Sequence, residues 1–419
     1  MGRGYIDACQ LYLEYVYGGL LTMLAWGVVA IVLILLPDAA LAQRRNPAGF
    51  TLTALGHTCR ALALLRRSFI CLLCLLFFGR MSVFAAEVST LQAGEAVVLF
   101  PSAGHQSEDG RHWVLPLQAW VYVPQHSDQR RRAIAKLLKQ RYRLDLTPAN
   151  APFFDPRINL LLADNKRGRT IVVEVRGVRA ALPPTSANGH SRGQVRIPVS
   201  ADTPEGTRVT VRAVLAPIDP RTIEATAHLV GRAGLSVISD IDDTVKITHV
   251  RDRRRLWEAT FYKSFEAVPG MPDAYQRLAA KGAAFHYVSS SPWHLAEPLL
   301  TFLGASGFAV SSISLKHVRL KDRTALDILK PGSETKPPAI EAILTRYPER
   351  RFILIGDSGE EDPEVYAEAL RNHPKQIARI FIRNVTGERR TDDRFSKAFA
   401  GLDAERWVLF EDAATVGDQ

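Results

Sequence analysis

Cysteine is confined to one end of this chain. Cys9, Cys59, Cys71 and Cys74 fall within the first 74 of 419 residues, and the 345 residues that follow contain none. A disulfide framework and a thiolate metal site are therefore excluded from the globular part. Cys71 and Cys74 form a C-x-x-C, but inside "FICLLCLLFF", where apolar surroundings disfavour the thiolate that redox exchange needs. Charge is missing from one stretch as well: no charged residue stands between Glu14 and Asp38. Recognised nucleic-acid-binding motifs are also absent. The net charge of +10 thus points to a phosphate group or a membrane surface ahead of nucleic acid.

The uncharged stretch holds "GGLLTMLAWGVVAIVLILL", Gly18 to Leu36, long enough to cross a bilayer as a helix. The Ala40-x-Ala42 that follows resembles a signal-peptidase site. A second apolar segment, "SFICLLCLLFF", comes after Arg66-Arg67 and has the length of a signal h-region, with a cleavage site after Ala85. Two expectations compete. One is an N-terminal membrane hairpin whose loop arginines, Arg44, Arg45, Arg60, Arg66 and Arg67, stay cytoplasmic. The other, which we favour, is a signal peptide at about 60–86 beneath a start set upstream of it. Both export the body, to the periplasmic or extracellular side or to the membrane. A buried helical pair is the remaining alternative.

The body divides near residue 232. From Glu95 to Val230, short β-branched runs such as "WVLPLQAWVYV", "TIVVEVRGV" and "TRVTVRAVL" are bounded by Gly, Pro, Asp or Asn. One helix interrupts them, with Ile134, Leu137, Leu138 and Tyr142 at helical spacing. The expectation is a mostly-β accessory domain over 88–231, a sandwich or barrel, with no catalytic constellation. Its basic run Arg130–Arg132 reads as a solvated helix face. From Leu235 strands and helices alternate, and the strands are uniformly apolar. That pattern predicts a three-layer α/β domain over 232–395 with a parallel sheet covered on both faces, followed by a tail over 396–419.

In such sheets ligands bind at the carboxyl ends of the strands. Four polar clusters fall there. Asp240, Asp242, Asp243 and Thr244 follow "LSVIS", and Ser289–Ser291 follow "AFHYV". Lys336 opens a helix, and Asp357 to Asp362 follow "RFILI". Carboxylates converging from two strands repel unless a cation lies among them, and a hard divalent ion with oxygen ligands, Mg²⁺, removes the conflict. A carboxylate can attack phosphorus, and a second one two residues on can carry the proton.

D-x-D-x-T after a strand, Ser after the next, a helix-opening Lys and a final G-D-x-x-x-x-D resemble the haloacid-dehalogenase (HAD) phosphohydrolase superfamily. "SDIDDTVKIT", "FHYVSSSPWHL", "SLKHV" and "YPERRFILIGDSGEEDPEVY" resemble the catalytic domain of the actin-patch-type phosphatidate phosphatases, over about residues 232–390. The resemblance implies a HAD-like Rossmannoid fold and these roles. Asp240 is the nucleophile and a Mg²⁺ ligand. Asp242 is the acid/base, its carbonyl also on the metal. Ser289 holds phosphoryl oxygens, and Lys336 neutralises the phosphate and the attacking carboxylate. Asp357 completes the metal site and Asp362 orients it. The chain departs from the family at Ser290, where relatives are expected to carry Asn. Lys316 and Lys321 are rivals for the lysine role, Asp243 is expected to cap locally, and Glu360 and Glu361 read as ordinary first-turn acids.

After the first cluster, Arg251, Arg253, Arg254 and Arg255 precede Trp257, Phe261, Tyr262 and Phe265, the aromatics on one helical face. The resemblance makes this segment a flap over the site. Arginines with aromatics there suit an anionic lipid headgroup at a membrane surface, or else the aromatics pack on the core. Trp293 is a further candidate for the mouth. The leading expectation is a Mg²⁺-dependent phosphatidate phosphatase. The alternatives are an exported phosphomonoesterase acting on soluble esters and a non-enzymatic module in which the acids hold a structural cation.

Overall fold

Two sheets, one of mixed pairing and one wholly parallel, carry the body. The computed structural model describes residues 88–317 and 335–417, so the hydrophobic N-terminal segments and Lys321 lie outside the described residues. Among the described residues no helix is long and apolar enough to cross a membrane.

The first sheet comprises β1 (Ala96–Leu99), β2 (Ser102–Gln106), β3 (His112–Val123), β4 (Asp164–Asn165), β5 (Val172–Val175), β6 (Val178–Ala181), β7 (His190–Pro198), β8 (Arg208–Ala213) and β9 (Glu224–Leu229). Its main path runs β1-β3-β2-β9-β8-β5-β6, with β4 and β7 also paired to the long β3. Alternate residues of β3, Trp113, Leu115, Leu117, Ala119 and Val121, enter one core with Val173, Val195, Val211 and Leu229. Two helices interrupt this part rather than one: α1 (Asp128–Tyr142) and α2 (Ala151–Leu161). The second is masked in the sequence by its prolines. Pro152 stands in its first turn, where proline is tolerated, and Pro156 lies inside it.

The second sheet comprises β10 (Leu235–Ser239), β11 (Ala284–Pro292), β12 (Ser312–Lys316), β13 (Arg351–Asp357), β14 (Ile377–Arg383) and β15 (Trp407–Phe410), in the order β12-β11-β10-β13-β14-β15. Every neighbouring pair is parallel. Its helices are α3 (Arg253–Trp257), α4 (Met271–Ala280), α5 (Ala296–Ala305), α6 (Lys336–Arg346), α7 (Asp362–Asn372) and α8 (Asp393–Ala398). The run 396–419 is not a bare tail, because it supplies β15, paired to β14 at Ile380–Trp407 through Arg383–Phe410. Strand order reverses at β10, which lies between β11 and β13, and this opens a crevice at their carboxyl ends.

The two sheets meet in a seam of polar and aromatic contacts. Tyr347 donates its hydroxyl to Ala103 O at 2.9 Å, Arg350 Nη1 donates to Gly231 O, just past β9, at 3.0 Å, and His228 Nδ1 lies 2.7 Å from Ser311 Oγ. Trp293 is buried in this seam, stacked on His294 at 4.3 Å and edge-on to His190 at 5.0 Å, and so does not sit at a mouth.

Candidate active site

The crevice gathers the residues that the four clusters supply. Asp240 follows β10, Asp357 ends β13, and Asp362 and Lys336 open α7 and α6. All four are buried. Carboxylate oxygens of Asp240, Asp357 and Asp362 lie within 4.8 Å of one another. Lys336 Nζ is 2.9 Å from Asp240 Oδ1, 2.9 Å from Glu360 Oε2, and in contact with Asp362 Oδ1. Lys316 ends β12 and feels the Glu360 carboxylate, but the lysine that meets Asp240, Glu360 and Asp362 together is the helix-opening Lys336.

The approach of Lys336 to Asp240 is off the angle of a hydrogen bond, so both Asp240 oxygens are buried without one, as is Asp357 Oδ2. Burial raises Asp240 well above the usual carboxylate range; Lys336 opposes this, while Asp362, Glu360 and Asp357 reinforce it. Burial likewise raises Asp357 and Glu360. For Lys336 burial alone would lower the ammonium, but Asp240, Asp362 and Glu360 together hold it well above its ordinary value.

Asp362 is fully engaged. Its Oδ1 meets Lys336, and its Oδ2 accepts the Asp357 amide at 3.2 Å. Gly356 makes that possible: a Cβ there would collide with Asp362 and come within 2.7 Å of the Tyr366 ring. The oxygens without a hydrogen bond are the two of Asp240 and Oδ2 of Asp357, whose Oδ1 accepts the Gly359 amide at 2.6 Å; all are hard oxygen donors. That set fits Mg²⁺, with Asp362 as the residue that fixes its neighbour.

Asp242 makes its own set of contacts beside this cluster. Its Oδ2 accepts from Ser289 Oγ at 3.1 Å and Ser291 Oγ at 2.7 Å, and its Oδ1 from Thr248 Oγ1 at 2.9 Å and Lys246 Nζ at 2.8 Å. Burial would raise its pKa, but Lys246 and these hydroxyls lower it to about 2. Ser289 is therefore spent on Asp242 and on the Ser291 amide, 2.9 Å away. Ser290 points its hydroxyl at Glu360 Oε2, 3.5 Å away. Sequence reasoning gives no role to Lys246 and reads Glu360 as an ordinary first-turn acid, whereas Glu360 stands before α7 and pairs with Lys336. The only signals were a lysine four residues past Asp242 and an acid three past Asp357.

Asp243 takes a left-handed φ of 56° and caps the returning loop. Its Oδ1 accepts the amides of Thr248 and His249 at 2.7 and 2.8 Å, and its Oδ2 accepts that of Val250 at 2.7 Å. The expected flap continues from α3 into a π-helical turn, Glu258–Tyr262. Trp257, Phe261 and Tyr262 are buried and Phe265 is half-buried, so the aromatic stripe faces the core rather than solvent. Arg251, Arg254 and Arg255 are exposed. The mouth of the crevice is lined by Asp242, Val250, Leu256, Thr260, Ser290, Ser291 and Glu360.

These features make a buried group of acids around one lysine at the carboxyl ends of a parallel sheet. Residues 235–384 match the family model described as "Phosphatidate phosphatase APP1, catalytic domain". The chain is 34 % identical over 169 residues to phosphatidate phosphatase APP1 of Saccharomyces cerevisiae, covering 39 % of this chain and 28 % of the relative. It is 32 % identical over 195 residues to an uncharacterised protein of Schizosaccharomyces pombe, 44 % of this chain and 32 % of the relative. The chain thus spans about a third of the length of the curated relatives it matches. Among solved structures it overlaps D,D-heptose 1,7-bisphosphate phosphatase from B. bronchiseptica, complexed with magnesium and phosphate, at 18 % identity and a TM-score of 0.27, covering 43 % of this chain and 94 % of that one. A putative β-phosphoglucomutase from Thermotoga maritima overlaps at 17 % identity and a TM-score of 0.26, covering 42 % and 95 %.

Proposed function

We propose that the protein hydrolyses phosphatidate to diacylglycerol and phosphate in a Mg²⁺-dependent reaction through an aspartyl-phosphate on Asp240. The observation that carries this reading is the buried group of Asp240, Asp357 and Asp362 around Lys336, with both Asp240 oxygens free of hydrogen bonds, inside the matched segment. The name of the Saccharomyces relative supplies the substrate. Bound at Asp240 and Asp357, Mg²⁺ would supply Lewis-acid stabilisation of phosphoryl charge and offset the repulsion between the acids.

The chain's own groups do the rest. An Asp240 oxygen forms a bond to phosphorus as the phosphorus–oxygen ester bond breaks, and the glyceride oxygen leaves with a proton donated by Asp242 in its protonated form. Lys336 opposes the effect of burial on the attacking carboxylate and balances charge on the phosphoryl oxygens. Water then attacks phosphorus and releases phosphate and Asp240, with Asp242 taking the water's proton. Held by Lys246, Ser289, Ser291 and Thr248, Asp242 is ionised, the form a base requires. To act earlier as the acid it must first leave Lys246 and gain a proton. We further propose that the body is exported or membrane-associated, on the strength of the two apolar N-terminal segments. Protease treatment of cells before and after opening of the outer envelope checks this, and a body that stays protected until the inner membrane is broken would refute it.

The burial of Trp257, Phe261 and Tyr262 favours a second reading, in which soluble phosphate esters are the substrates. Both are tested together. The purified chain is assayed for phosphate release from phosphatidate vesicles and from p-nitrophenyl phosphate, with Mg²⁺ or with chelator. We expect Mg²⁺-dependent release from phosphatidate, lost in Asp240→Asn. Preference for the soluble ester would transfer the assignment to the second reading. Mg²⁺-dependent melting without turnover on either would show a structural cation site instead, and full activity in Asp240→Asn would overturn the mechanism.

A further inference from the structure

We infer that the carboxyl-terminal end of α1, the loop after it and the exposed side of α3 form one docking surface for an anionic lipid bilayer. The inference deepens the lipid reading above and rests on it, but its test requires no turnover. Helix α1 buries Leu138 and packs Ile134, Ala135 and Tyr142 against the core. Its other side leaves Lys136, Lys139, Arg141 and Arg143 exposed. The Tyr142 ring stacks 6.3 Å from Trp257, the buried anchor of α3, which brings the exposed Arg254 and Arg255 alongside. Leu256 and Thr260, on the same turn of chain, line the crevice mouth, so this basic surface borders the entrance to the acids.

The nearby acids do not cancel it. Asp145 pairs with Lys139 at 2.5 Å, and Asp252 and Glu258 approach Arg255 and Arg254 only at 3.9 and 3.8 Å. Such exposed pairs are weak, and a surplus of positive charge remains. A second observation points the same way. Four large apolar side chains are exposed among the described residues, and two of them, Leu137 and Leu146, stand on this surface. Basic side chains with isolated leucines suit the interface of an anionic bilayer, where each lysine or arginine adds attraction and each leucine finds the acyl boundary. A single-stranded nucleic acid would require exposed aromatic stacking platforms, and here the aromatics are buried.

The test is amide hydrogen exchange of the full chain on phosphatidylcholine vesicles with and without phosphatidylserine. Exchange in residues 136–146 and 253–257 is expected to slow only when phosphatidylserine is present, and to recover at high salt. Lys136→Glu combined with Arg141→Glu is expected to abolish the slowing, with circular dichroism showing that the fold is kept. Leu137→Ser with Leu146→Ser, which leaves the charge intact, is expected to weaken it. Equal exchange with and without phosphatidylserine, or slowing that survives the charge reversal, would overturn the inference. Because the readout is local, vesicle binding through other segments does not mimic it. Loss of phosphatase activity in the assay above would leave this result standing.

Discussion

Lys336 is where the electrostatics of the site are settled. Three carboxylates, on Asp240, Glu360 and Asp362, converge on one buried ammonium. A buried charge is tolerated only with a partner, so deleting the cation leaves the acids uncompensated. In chelator, Lys336→Met is expected to destabilise the chain by about 3–5 kcal/mol, the usual cost of breaking a buried pair. Urea unfolding measures this, and a loss below about 1 kcal/mol, typical of an exposed pair, would show that the lysine does not carry the cluster. Asp240 and Asp242, two residues apart, end with opposite environments. One is stripped of hydrogen bonds and raised by burial, while the other is saturated with donors and lowered to about 2. Nothing in the motif's spacing announces that division. It arises because Lys246 and three hydroxyls come from residues that only the fold brings to Asp242.

The loop from Asp240 to Val250 shows how a short element sets both environments. Its turn closes through Asp243 N–H to Lys246 O at 2.7 Å, and the Asp243 carboxylate then gathers three amides, those of Thr248 and Val250 being buried. This closure is what delivers Lys246 and Thr248 to Asp242. A buried amide left without an acceptor costs about 1–3 kcal/mol. Asp243→Ala should therefore cost several times the stability lost in Asp243→Asn, which keeps an acceptor and tolerates the left-handed φ. Thermal unfolding of the two variants decides it; equal losses would mean that the carboxylate does not organise the loop. Much here was legible in the sequence. Carboxylates at strand ends, a serine after the next strand and a lysine opening a helix are local patterns, and local chemistry predicts them. What escaped depends on long-range packing. The aromatics of 257–265 have one periodicity whether they face lipid or core, and they face the core. Residues 407–410 form a strand because β14 offers them an edge, a fact invisible in four residues of sequence.

Across the whole molecule, the seam between the sheets gives stability a dependence on pH. His190, His286 and His294 are buried near it, on or just after β7 and β11. Burial pushes each imidazole down to about 3; Arg350 and Arg346 add to this at His286, His317 at His294, and His317, Arg192 and His294 at His190. Unfolded, each would titrate at its ordinary 6.5. Between those values the unfolded chain holds protons that the folded chain refuses, so stability is full above pH 6.5 and declines as pH falls towards 3. The buried acids act in the opposite direction. Asp240, Asp357 and Glu360 are raised, so in that window the folded chain takes up protons first. A bare pH profile would mix the two, and a difference separates them. His286 is bonded through Nδ1 to Ser312 Oγ at 2.8 Å, a contact that a glutamine amide can replace without a titrating group. Thermal midpoints of the parent and of His286→Gln should therefore converge or cross as pH is lowered from 7 to 5, the parent losing more. A gap between them that is constant with pH would mean that His286 is not held neutral by the fold.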